Sequence, residues 1–153
     1  MDLGDLLSPE AVFPSLRAKN KKQALQEVAQ KAAGLTGLEA RDIFETLLQR
    51  ERLGSTGVGR GIAIPHGRIA ALPRIVSLFA RLEEPIDFEA LDGEPVDLIF
   101  LLLAPEGAGA DHLKALARIA RLLRDQDVAK KLRASRDAQA IYSVLALPPA
   151  SAA

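Results

Sequence analysis

The order of patterns along these 153 residues predicts a single α/β domain, with a mixed sheet and helices on both faces. Three observations carry this. Two helical patterns come first, strand patterns fill the middle, and helical patterns return at the end. The run from Val96 to Leu103 is almost wholly apolar between Pro95 and Pro105, as expected of a strand buried on both faces. No internal repeat or linker divides the chain, and its length suffices for one real core.

The elements follow in order. Residues 1–18 read as an irregular lead-in with a short strand from Val12 to Leu16. Asn20 then starts a helix, with Gln23 three residues on in capping-box spacing. Ala24, Leu25, Val28, Ala32 and Leu35 recur at helical spacing, and Gly34 is the expected stop. A second helix spans about Glu39 to Arg52, with Ala40, Ile43, Phe44, Leu47 and Leu48 on one face. Ile75 to Leu82 reads as a strand, with Pro85 marking a turn or edge. After the loop at 105–109, Asp111 is placed to cap a helix carrying Leu113, Leu116, Ala117, Ala120 and Leu123 inward. Short helices near 127–133 and 137–146 close the fold. The domain is expected to occupy 1–147, with 148–153 a disordered tail.

Composition narrows the function classes. Twenty basic and twenty acidic residues give a formal net charge of +0, so the basic excess of a nucleic-acid binder is absent. Aromatic residues make up only 4%, which leaves few platforms for stacking bases. No apolar run approaches the ~18 residues of a membrane span. The start lacks the pattern of a signal peptide. Without cysteine there is no disulfide framework, thiolate metal site or cysteine nucleophile, and a reducing cytoplasm fits.

The chemistry concentrates between Gly54 and His66, in the string G-S-T-G-V-G-R-G-I-A-I-P-H, with Gly67 following. Its glycines permit tight turns that expose backbone N–H groups. Ile62-Ala63-Ile64 reads as a short buried strand, Pro65 as the end of its ladder, and Gly67 as space beside the imidazole. His66 reads either as a structural histidine or as a nucleophile. In the second reading one ring nitrogen is held by a hydrogen bond and the other takes a phosphoryl group. His112 follows Asp111 in the first turn of a helix. It is either a solvated histidine or a second imidazole that bonds a phosphoryl oxygen.

The loop itself reads as a tight hairpin, or as a cradle in which Ser55, Thr56 and nearby amides bind phosphoryl oxygens. It is not a Walker A motif, since no Gly-Lys-Ser/Thr follows, and it lacks the dinucleotide fingerprint. Arg50-Glu51-Arg52 precedes it. Glu51 falls on the apolar face of its helix and needs a partner there. Arg50 lies about a quarter turn away, placed to aim a guanidinium at the loop. Lys114, Arg118, Arg121 and Arg124 form a stripe that reads as a solvated face or a site for an acidic partner. No recognisable metal-ligand set exists. A histidine-dependent hydrolase would need a nucleophile motif such as G-x-S-x-G, which is absent.

The segment from Arg50 through Gly67 resembles the signature of the enzyme IIA domain of bacterial phosphotransferase systems, in the mannitol/fructose branch and nearest its nitrogen-related regulatory type. The resemblance extends over about residues 3–147. It implies a mixed, about five-stranded sheet flanked by helices. It implies His66 as acceptor of a phosphoryl group from a histidine phosphocarrier protein, with His112 and Arg50 completing the site and Ser55, Thr56 and Gly67 as phosphoryl-binding candidates. No cofactor or magnesium is implied. Where this chain has Arg60 the family has an uncharged residue, often Asn, so altered charge at the mouth of the site is expected. The type implies a phosphorylation-dependent regulator of nitrogen metabolism and potassium homeostasis, with potassium-transport components or sensor kinases as targets. The lack of an attached IIB or IIC domain favours that role. The alternatives are a sugar-specific IIA that passes the phosphoryl group to a IIB domain, and a non-catalytic binding module.

Overall fold

The apolar run at 96–104 is the spine of the molecule. In the computed structural model, residues 3–146 are described. The strands are β1 (Val12–Leu16), β2 (Gly57–Gly59), β3 (Ile62–Ala63), β4 (His66–Arg68), β5 (Val76–Ile86) and β6 (Val96–Ala104). The helices are α1 (Leu3–Leu6), α2 (Lys21–Thr36), α3 (Ala40–Arg52), α4 (Ala110–Arg124), α5 (Gln126–Ala134) and α6 (Ala138–Ala146). The tail at 148–153 lies outside the described residues.

The sheet runs β1-β5-β6-β3-β2, with β4 also paired to β6. Strands β3 and β4 both lie parallel to β6, opposite Leu98–Ile99 and Leu102–Ala104 respectively. They form one rib interrupted at Pro65, so the sheet has five positions, as expected. Pro65 has no N–H to give the ladder. Its carbonyl still accepts from the Leu102 N–H at 3.0 Å, and pairing resumes at His66. The expected end of the ladder is therefore a break that re-aims the chain just before the histidine. Mixed pairing is complete with β1 parallel to β5, and β5 antiparallel to β6.

Successive residues from Leu98 to Ala104 are all buried, which requires cover on both faces of β6. Helices α2 and α3 pack on each other and reach β5 and β4; α4 and α6 reach β6 and β1. Phe79 and Phe100 face each other across β5 and β6, ring edge to ring face at 6.2 Å.

Several boundaries differ from expectation for physical reasons. Helix α2 runs through Gly34 and stops at Gly37, which takes the left-handed conformation (φ 77°) and donates to Ala33 O at 2.8 Å. Leu35 is accordingly exposed. At the other end, Asn20 Oδ1 accepts from Gln23 N at 2.8 Å, and Gln23 Oε1 accepts from Lys19 N at 2.6 Å. Strand β5 continues beyond Leu82 through Pro85, with its register broken between Arg81 and Ile86. Asp111 does not cap α4. Gly109 (φ 54°) precedes the helix, and Asp111 sits exposed in its first turn. The buried stripe of α4 is His112, Ala115, Ile119 and Leu123, while Leu113 is 65% exposed. A stripe that begins on a histidine is invisible to apolar periodicity.

Candidate active site

Parallel pairing with β6 delivers His66 to the start of β4, beside the C-terminal turn of α3 and the first turn of α4. The ring is half-buried. Its Nδ1 lies 2.8 Å from the carbonyl oxygen of Ile64. A carbonyl only accepts, so Nδ1 carries the proton and Nε2 keeps its lone pair. Arg50 Nε donates to that Nε2 at 3.3 Å, and Arg50 Nη1 donates to Gly54 O at 2.9 Å. Burial, with the Arg50 cation, holds His66 below its ordinary range, against the opposing pull of the Ile64 carbonyl and Glu51. The imidazole is neutral near pH 7, the form in which Nε2 can attack phosphorus.

His112 faces it from α4. The ring centroids are 5.7 Å apart and the planes are inclined by 75°. His112 is 6% exposed. Its Nδ1 accepts from Arg68 Nε at 3.0 Å, and its buried Nε2 has no hydrogen-bond partner among the described residues. Burial, His66 and Arg68 all hold His112 below its ordinary range. Arg68, the last residue of β4, also reaches Glu106 O at 3.4 Å. Sequence reasoning missed Arg68. The available signal was the two-residue spacing of a strand, which puts residues 66 and 68 on one face.

Glu51 finds the partners its position demands. It is 7% exposed, accepts from Thr56 N at 3.0 Å and from the Thr56 hydroxyl, and pairs with Lys21 Nζ at 3.0 Å. Lys21 in turn lies 4.9 Å from the Phe88 ring centroid. This network pins the end of α3 to the loop and fixes where Arg50 starts.

The expected cradle is built differently. The Thr56 hydroxyl is committed to Glu51. The Ser55 hydroxyl donates to Phe88 O at 3.0 Å and accepts from Gly57 N at 3.0 Å. Both side chains therefore hold the loop together instead of facing outward as donors. Gly67 makes room for a helix, since a Cβ there would meet Thr46 Cγ2 of α3 at 2.5 Å.

Arg60 occupies the tip of the β2–β3 hairpin in the left-handed region (φ 58°), a conformation that suits Asn better than Arg. It lines a cleft with Leu123, Arg124 and Lys130. Leu123 and Arg124, at the end of α4, lie about 16–18 Å along the helix axis from His112. Its charge therefore falls at the far end of α4, not at the mouth of the histidine site. Among the described residues no group of three or more His, Cys, Asp or Glu is placed to hold a metal ion. None of their helices is long and apolar enough to cross a membrane.

The pattern of the phosphoenolpyruvate-dependent sugar phosphotransferase system EIIA 2 family matches residues 5–147. The chain belongs to this family. It is 72% identical over 153 residues to a nitrogen regulatory protein of Bradyrhizobium diazoefficiens, covering 100% of both chains. The crystal structure of nitrogen regulatory protein IIA-Ntr from Neisseria meningitidis superposes with a TM-score of 0.88 at 36% identity, over 94% of this chain and 98% of that one. The mannitol IIA of Escherichia coli shares the fold at 22% identity, with a TM-score of 0.76 over 91% and 98% of the two chains. This EIIA-type chain is thus a component of a phosphoryl-transfer system, similar throughout its length to nitrogen regulatory proteins.

Proposed function

We propose that this EIIA-type chain is a phosphohistidine relay protein in the cytoplasm, and that its phosphorylation state decides which target proteins it holds. The observation that carries the reading is the disposition of His66, with Nδ1 bonded to a carbonyl and Nε2 left with a lone pair under a guanidinium. In the transfer step Nε2 forms a bond to phosphorus as the phosphorus–nitrogen bond of the donor's phosphohistidine breaks. The donor nitrogen leaves with that electron pair. The positive charge that develops on the His66 ring is eased by the Nδ1–H bond to Ile64 O.

Arg50 Nε–H, displaced from Nε2 by the incoming phosphorus, is then beside the phosphoryl oxygens. The free Nε2–H of His112 supplies a second donor. Little more is required, because phosphoryl transfer depends mainly on positioning and charge stabilisation. A histidine phosphocarrier protein is the donor. The similarity to nitrogen regulatory proteins favours regulation over sugar import. A phosphohistidine adds up to about two negative charges at one surface point, which repels an acidic partner and penalises an apolar one.

The test is incubation with enzyme I, the phosphocarrier and phosphoenolpyruvate, followed by mapping of the modified residue by mass spectrometry. One acid-labile phosphoryl group on His66 is expected, lost in His66→Ala with thermal unfolding unchanged. Capture of partners by His66→Ala and His66→Asp should differ. Labelling that survives in His66→Ala would refute the acceptor. Identical partner sets, with rapid transfer to a sugar-specific IIB domain, would replace regulation by transport.

A further inference from the structure

We infer that Arg68 is a positioning residue for this site: its Nε–H bond to His112 Nδ1 fixes His112 as a neutral Nε2–H donor aimed at the group carried by His66. The inference rests on the relay reading above, and it deepens that reading by assigning a residue at the far side of the second histidine.

A histidine nitrogen that accepts from a guanidinium cannot itself bear a proton, because an arginine has no acceptor to offer. With Arg68 Nε 3.0 Å from Nδ1, the neutral ring of His112 must carry its proton on Nε2. Protonating the ring would break this bond and set two cations side by side. Nε2 is buried without a partner among the described residues, in a ring set edgewise to His66 at 5.7 Å between centroids. A buried donor left unbonded forfeits the hydration it had in water and gains nothing in return. Such a donor is recovered when a phosphoryl oxygen arrives on His66.

Arg68 is itself held. Its backbone lies in β4 opposite Ala104 of β6, and its Nη1 reaches Glu106 O at 3.4 Å, in the turn that leads into α4. The same guanidinium therefore ties together the strand that bears His66 and the approach to the helix that bears His112. His66 and Arg68 share one face of β4, with only Gly67 between them. A methionine at this position would keep much of the apolar stem and lose the donor; a lysine would keep a donor and the charge.

The experiment compares long-range 15N–1H spectra of His112 at pH 7.5 in the wild type, Arg68→Met and Arg68→Lys, together with rates of phosphoryl transfer from the carrier. In the wild type, Nε2 should be protonated and Nδ1 should show the shift of a hydrogen-bonded acceptor. In Arg68→Met both nitrogens should move towards exchange-averaged values, and transfer should slow about tenfold, the effect of losing one well-placed donor. Arg68→Lys should restore the spectrum and most of the rate. Coincident wild-type and Arg68→Met spectra would overturn the inference, and so would a moved spectrum with wild-type transfer kinetics. The spectrum reads the Arg68 contact whether or not His66 accepts a phosphoryl group, so a failure of the relay reading is distinguishable from a failure of this one.

Discussion

In each imidazole of the pair the protein fixes Nδ1. Ile64 O holds Nδ1 of His66, and Arg68 holds Nδ1 of His112. Burial keeps both rings below the ordinary histidine range. The unfolded chain therefore takes up protons first as the pH falls through about 6.5. Stability should be fully present above that range and be lost progressively as pH falls towards the native values. Urea midpoints at pH 7.5 and 5.5 measure this, and the fall should be shallower in a His66→Gln/His112→Gln variant; an equal fall would remove the histidines from the acid sensitivity. Arg50→Gln should slow transfer about 10–100-fold, the cost of one charge-assisted donor at about 1.5–3 kcal/mol, read by quench-flow with labelled carrier.

At this scale the resemblance singled out His66, His112 and Arg50, and the structure brings the three side chains together; from the residues alone His66 stood out by its place at a strand end, while His112 and Arg50 stayed open between surface and site. The internal bonds of Ser55 and Thr56 were not legible. A hydroxyl looks the same in sequence whether it faces a ligand or a buried Glu51.

At the scale of elements, the approach of α3 to β4 is set by a missing side chain. Gly67→Ala would drive a Cβ to 2.5 Å from Thr46 Cγ2. Overpacking of this kind typically costs about 1–3 kcal/mol. Thr46→Ser removes the methyl group and keeps the hydroxyl that bonds Asp42 O at 2.9 Å. The double variant should regain most of the stability by denaturant unfolding; an additive loss would place the strain elsewhere.

The β2–β3 turn offers the opposite case. Arg60 holds a left-handed conformation there, and Arg60→Asn should stabilise by about 0.5–1 kcal/mol. Element order and type were readable because core strands and amphipathic helices differ in period. The stop at Gly37 rather than Gly34 was not, since only the left-handed turn distinguishes two nearby glycines. The inward face of α4 was misjudged because its first buried residue is a histidine, His112.

For the whole molecule, the site depends on the sheet as a frame. Strand β6 is buried along its length and pairs with both the strand that carries His66 and the long strand β5. Phe100→Ala in its centre should cost about 3–5 kcal/mol and weaken the site only through loss of fold, so the surviving native fraction should keep its specific activity. The fold class followed from the helix–strand–helix order and the apolar run at 96–104. The rib broken at Pro65 did not, because a proline in sequence reads as an end and only the partner strand reveals that pairing resumes.

The claim that joins these scales is that one nitrogen, Nε2 of His66, receives the phosphoryl group. Its most direct measurement is 31P and 15N NMR of the 15N-histidine-labelled protein, phosphorylated through the carrier. The account predicts a single phosphorus–nitrogen coupling at Nε2 of His66, with Nδ1 still protonated. Phosphorus coupled to Nδ1, or to either nitrogen of His112, would contradict it.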